Sequence, residues 1–114
     1  MSLHRRRLGI AGEAKAAAWY EAAGYRILER NWRCAEGEID IVCRAGTTVV
    51  FCEVKTRSTS AFGLPVEAVT AAKRRRVRRA ALRWLRERRP GCRRVRFDVA
   101  SVLGDHVEVV TDAW

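Results

Sequence analysis

The reading of this chain turns on residues 37–57: Gly37-Glu38-Ile39-Asp40-Ile41-Val42-Cys43-Arg44, a turn at Ala45-Gly46-Thr47, then Val49-Val50-Phe51-Cys52-Glu53-Val54-Lys55-Thr56-Arg57. Both halves are rich in β-branched and apolar residues and are bounded by Gly-containing turns, the pattern of two strands. A turn of a few residues joins them as an antiparallel hairpin. Side chains alternate faces along a strand. Val50, Cys52 and Val54 therefore point one way, and Phe51, Glu53 and Lys55 the other. Pairing about a turn near residue 46 brings Asp40 close to 51–53, with Glu38 expected on the same face as Asp40. Two carboxylates and an ammonium converge on one patch of a small sheet.

The elements around this hairpin extend the pattern in both directions. Residues 1–8 carry His4 and Arg5-Arg6-Arg7 and read as a basic N-terminal arm, leaving residues 9–114 as one domain. From about Ile10 to Ala23 the chain is alanine-rich and helical, and Gly24 suits a C-cap. Within that helix Glu13 has Ala16, Ala17 and Tyr20 as neighbours at i+3, i+4 and i+7. It is either an acid on the apolar face that needs a cationic partner or an exposed first-turn acid favoured by the helix dipole. Tyr25 to Arg33 reads as a strand leading into the hairpin. After Lys55, residues 56–64 are polar and small and read as a loop. Pro65 and Glu67 suit the first turn of a second helix, expected to run to about Arg89 before Pro90-Gly91.

The second helix has an apolar stripe through Val66, Val69, Val77, Ala80, Ala81, Trp84 and Leu85. Lys73 interrupts the stripe, so it either snorkels or serves the carboxylate patch. Val95 to Leu103 forms a fourth strand, reached from the third through a helix and so parallel to it. A turn at Gly104-Asp105 and a short strand at 106–110 complete the chain. Asp98, between Phe97 and Val99, reads as a structural acid with a satisfied partner, and His106 as exposed.

A chain of 114 residues with 48% hydrophobic content builds one core. No apolar run approaches the roughly 18–20 residues that span a bilayer, and no signal-peptide h-region follows the N-terminal arginines. These features predict a soluble, cytoplasmic protein. Cysteines 34, 43, 52 and 92 lack zinc-knuckle spacing, so reduced thiols are expected. The charge is lopsided. Residues 73–96 hold 13 Lys/Arg against Glu87 alone, within a chain of net charge +10, so the remainder is slightly acidic. Such a field favours a polyanion, nucleic acid first and an acidic membrane surface last. Of 23 basic residues only Lys15, Lys55 and Lys73 are lysines, a sparing use that marks places where a compact point charge is wanted.

Carboxylates converging within a few Å suit Mg²⁺, which prefers oxygen donors and keeps several waters. A metal-bound water is acidified and attacks phosphorus while the metal neutralises phosphate charge. Lys55 is placed to orient that water or to stabilise the developing charge. The basic helix supplies salt-sensitive affinity for phosphates, with Lys73, Arg74, Arg75 and Arg78, and Arg57 at the end of the third strand, as contacts. These parts suit a metal-dependent nuclease acting on DNA. Two other readings share them: a non-catalytic DNA- or RNA-binding protein that keeps the fold, and an RNA- or ribosome-associated structural factor. Edge strands also carry charge simply to avoid aggregation.

Gly37-Glu38-Ile39-Asp40, Phe51-Cys52-Glu53-Val54-Lys55-Thr56-Arg57, Phe62-Gly63-Leu64-Pro65 with Ala68-Val69, and Arg96-Phe97-Asp98-Val99 closely resemble the bacterial YraN-like family. Gly12-Glu13 and Arg30-Asn31-Trp32-Arg33 fit as well, so the match covers nearly the whole chain from about Gly9. That family is similar to the PD-(D/E)XK nucleases, particularly the archaeal Holliday-junction resolvase branch. The resemblance implies an α/β fold with a restriction-endonuclease-like αβββαβ core, its mixed sheet flanked by helices. It also implies Asp40 and Glu53 as ligands of Mg²⁺ or Mn²⁺, Lys55 as the catalytic lysine and Glu13 as the helix-borne acid that joins them. Branched or damaged DNA as substrate and a homodimer follow from the same resemblance. Where the superfamily has Pro-Asp, this chain has Ile39-Asp40.

Overall fold

The computed structural model describes the backbone of residues 3–57 and 69–114, with side chains from residue 9 onward. The elements run α1 (Leu3–Ala22), β1 (Arg26–Cys34), β2 (Gly37–Ala45), β3 (Thr48–Arg57), α2 (Ala71–Arg88), β4 (Arg94–Leu103) and β5 (His106–Val110). The αβββαβ order is as expected, with β5 appended. The strands form one mixed sheet in the order β1-β2-β3-β4-β5. β3 and β4 are parallel, in register from Thr48↔Arg94 to Arg57↔Leu103, and the other neighbours are antiparallel.

Two expectations about the helices are corrected. Residues 3–8 are not a loose arm: α1 begins at Leu3 and runs unbroken through the arginines. Arg and Leu are good helix formers, and no Pro lies between them and the alanine-rich stretch, so the helix runs on through Gly9 and Gly12. The second helix starts later than Pro65. Thr70 is its N-cap, in extended conformation, and its hydroxyl accepts from the Lys73 N–H at 3.2 Å. Pro65, Val66 and Glu67, and the expected loop beyond Arg57, lie outside the described residues. At its other end α2 closes on Arg89, whose left-handed conformation lets its N–H reach the Leu85 carbonyl.

The helices cover opposite faces of the sheet. Ala16, Ala17 and Tyr20 of α1 pack with Ile41, Cys43, Val50, Cys52, Ala100 and Val102. Ala80, Ala81 and Trp84 of α2 pack with Ile39, Val42, Val49 and Phe51. The alternation expected along β3 is thus observed, with Val50 and Cys52 under α1 and Phe51 under α2. Burial lifts the Cys43 thiol to about 12 and the Cys52 thiol well above its ordinary value, and all four cysteines are free.

Asp98 is the structural acid that the sequence suggested. It is fully buried, accepts the Tyr20 hydroxyl at 2.7 Å and a two-pronged contact from Arg96 at 2.9 Å, and takes the Asp112 N–H at 3.0 Å. Desolvation pushes the Tyr20 phenol far up, and its hydrogen bond to Asp98 adds to this. This network ties α1, β4 and the C-terminal segment together. His106 is exposed, as expected.

Candidate active site

The central hairpin does not stay paired along its whole length. β2 and β3 are in register from Ala45↔Thr48 only as far as Ile41↔Cys52. Beyond that point residues 37–39 of β2 pair with β1 alone, while residues 53–57 of β3 pair with β4 alone. The sheet therefore forks, and Asp40 and Glu53 are the first residues past the fork, one on each arm. A fork leaves ladder groups without partners, and buried backbone N–H groups require one. The Asp40 carboxylate fills this gap by accepting the Val54 N–H at 2.8 Å.

Glu53 points to the α2 side and is only 3% exposed. Its Oε1 lies 2.7 Å from the Lys73 ammonium and 3.6 Å from that of Lys55. Both lysines are 28% exposed, so one end of this cluster meets solvent. Lys73 thus serves the carboxylate patch, one of the two roles its position on the stripe allowed. Burial first, and then the charge of Glu53, raises the Asp40 carboxyl to about 7, against the pull of the Val54 N–H and Lys73. Burial disfavours the charged Lys73, but the hydrogen bond to Glu53 and the charges of Glu53, Asp40 and Glu38 outweigh it and raise its pKa.

The donor chemistry of this pair suits a hard divalent cation. Two carboxylates face a common region, one of them raised by the other's charge, and a cationic group already stabilises them. Mg²⁺ is commonly held by one or two carboxylates, with waters and substrate phosphates completing its shell. Asp40 and Glu53 are the residues that would hold it.

Glu13 does not join them. Its Oε1 lies 3.3 Å from Arg30 Nε, with the carboxylate 17% exposed, so it is the partly buried acid with a cationic partner. Among the described residues no three His, Cys, Asp or Glu side chains gather as a metal site. Gly12 seats this part of α1 on β3, since a side-chain carbon there would run into Thr56 Oγ1. Glu38 pairs with Arg33 at 3.2 Å while half exposed, and its charge also acts on Lys73.

The basic surface begins beside this site. Arg75, Arg76, Arg78 and Arg79 are exposed on α2. Arg78 lies over the Phe97 ring and Arg74 over the Trp114 ring, at 5.9 and 5.7 Å, and Arg74 also donates to the Val69 carbonyl. Arg57, partly buried, ends β3 on the same arm of the fork as Glu53 and Lys55. No described helix is long and apolar enough to cross a membrane.

The sequence profile of uncharacterised protein family UPF0102 matches residues 12–102. The chain belongs to that family. A UPF0102 protein of Beutenbergia cavernae is 55% identical over 96 residues, covering 84% of this chain and 81% of that protein. One from Moorella thermoacetica is 52% identical over 110 residues, covering 96% and 92%, and one from Geobacter metallireducens 51% over 102 residues, covering 90% and 84%. The matched span runs across both arms of the fork and the whole of α2.

Proposed function

We propose that this member of UPF0102 is a metal-dependent endonuclease that hydrolyses DNA phosphodiester bonds, related to the PD-(D/E)XK nucleases and acting on branched or damaged DNA as a homodimer in the cytoplasm. The observation that carries the reading is the fork between β2 and β3. It sets Asp40 and Glu53 on facing arms with Lys55 beside them, at the end of the sheet where an arginine-rich helix begins. A bound Mg²⁺ or Mn²⁺ would supply an acidified water and neutralise charge on the phosphate oxygens.

The chain's own groups do the rest. Asp40 and Glu53 would hold the ion, while Glu13 stays paired with Arg30 outside them. Lys55, a compact charge on a rigid strand, orients the attacking water or stabilises charge on the phosphate in the transition state. Arg57, Arg74, Arg75 and Arg78 hold the backbone through contacts that are blind to sequence and weakened by salt.

A second reading has its own support. Lys73 and Lys55 already surround Glu53, as they would in a protein that binds nucleic acid without cutting it. Binding and cleavage of labelled duplex, single-stranded and four-way-junction DNA, and of RNA, separate the two. The endonuclease reading expects cutting in Mg²⁺ or Mn²⁺ that EDTA stops. Tight, salt-sensitive binding with no cutting in either metal contradicts it and leaves the binding protein.

A further inference from the structure

We infer that Lys73 is a tethered counter-ion occupying the cation position of the Asp40/Glu53 pair, and that a phosphate backbone draws it away, so that divalent-metal binding and polyanion binding reinforce each other. The inference rests on the metal-site reading above and adds to it a role for Lys73.

The first ground is position. The Lys73 ammonium is nearer to Glu53 than that of Lys55, at 2.7 against 3.6 Å, and a carboxylate 3% exposed cannot lose its counter-charge cheaply. The second is charge. Two carboxylates against two ammoniums leave no negative charge to spare, so a dication added to the cluster leaves it in positive excess, which favours either the loss of an ammonium or the arrival of anions. A phosphodiester backbone supplies one negative charge per nucleotide. The third is freedom of movement. The Lys73 backbone is fixed at the helix start by Thr70, so only its four-carbon stem has to swing, and the side chain is already 28% exposed. Next to it Arg75 and Arg76 are exposed on the same turn, where an incoming phosphate finds its first partners.

Linkage makes the coupling reciprocal: whatever factor DNA adds to metal affinity, metal adds to DNA affinity. The test is Mn²⁺ binding, followed by loss of the free-ion EPR signal, with and without a phosphorothioate duplex whose own metal binding is subtracted. We expect weak binding by the wild type alone and an increase of about tenfold when the duplex is present. Lys73→Met and Lys73→Gln, checked for folding by circular dichroism, are expected to bind Mn²⁺ tightly without DNA and to gain little from it. The wild-type coupling stands as a test even if both variants unfold.

Asp40→Asn separates the failures. Lys73 variants that bind no tighter than wild type, at a site Asp40→Asn abolishes, overturn the inference and leave the metal site standing. Equal wild-type affinity with and without duplex also overturns it. No saturable Mn²⁺ site in any form overturns both the inference and the reading beneath it.

Discussion

Asp40 Oδ2 accepts the backbone N–H of Val54 at 2.8 Å, across the mouth of the fork between β2 and β3. One carboxylate thereby completes the sheet's hydrogen bonding and faces Glu53. Its carboxyl, raised to about 7 by burial and by Glu53, links the site to stability.

Between the ordinary carboxylate range and about 7 the folded protein holds a proton that the unfolded chain has released. The contribution to stability is present below the unfolded pKa and is lost as pH rises through about 7. Asp40→Asn keeps an oxygen for Val54 and removes the charge. It should raise stability by about 1–3 kcal/mol at pH 8 and have little effect at pH 4. Urea unfolding at the two pH values checks this, and equal effects at both would contradict it.

Asp98, the register partner of Cys52 across β3 and β4, anchors α1 to the sheet through Tyr20. Asp98→Ala leaves Arg96, 14% exposed, and the Tyr20 hydroxyl without their shared acceptor, and should cost about 3–5 kcal/mol. Chemical denaturation measures the loss. A cost under about 1 kcal/mol, the value of an exposed pair, would mean that the network is not what joins α1 to β4.

Gly12 and Thr56 fix how closely α1 approaches β3. Gly12→Ala should destabilise by about 1–3 kcal/mol through overpacking, and Thr56→Ala in the same chain should recover part of that. The double-mutant cycle isolates the contact; additive losses would place the clash elsewhere.

Arg75 is exposed on the first turns of α2. Arg75→Ala should weaken DNA binding evenly across sequences and lower the slope of log affinity against log salt by about 1. Fluorescence anisotropy over a salt series reads the slope directly, and an unchanged slope would exclude Arg75 as a phosphate contact.

Much of this arrangement was legible in residues 37–57, because a two-residue period and a Gly-containing turn leave few alternatives for a buried hairpin. Val50 and Cys52 under one helix and Phe51 under the other follow from alternation alone. The fork does not. Ile39 packs under α2 and Ile41 under α1, so the alternation slips at Asp40. A one-residue slip depends on where β2 parts from β3 while staying paired with β1, a long-range matter that local pattern does not encode. Lys73 was visible as a break in an apolar stripe, but its bond to Glu53 depends on how α2 lies across the sheet. The start of α2 was misplaced because Pro65 is a good first-turn residue, while Thr70, a better cap, lies five residues further on.

Metal-dependent chemistry at the fork is tested by single-turnover cleavage of a four-way junction. Wild type, Asp40→Asn and Lys55→Ala, purified identically, are compared in Mg²⁺ and in EDTA. Wild type should cut in Mg²⁺ and not in EDTA, with losses of at least about 100-fold in both variants. Cutting that survives both substitutions, or none by a wild type that binds the junction tightly, would contradict it.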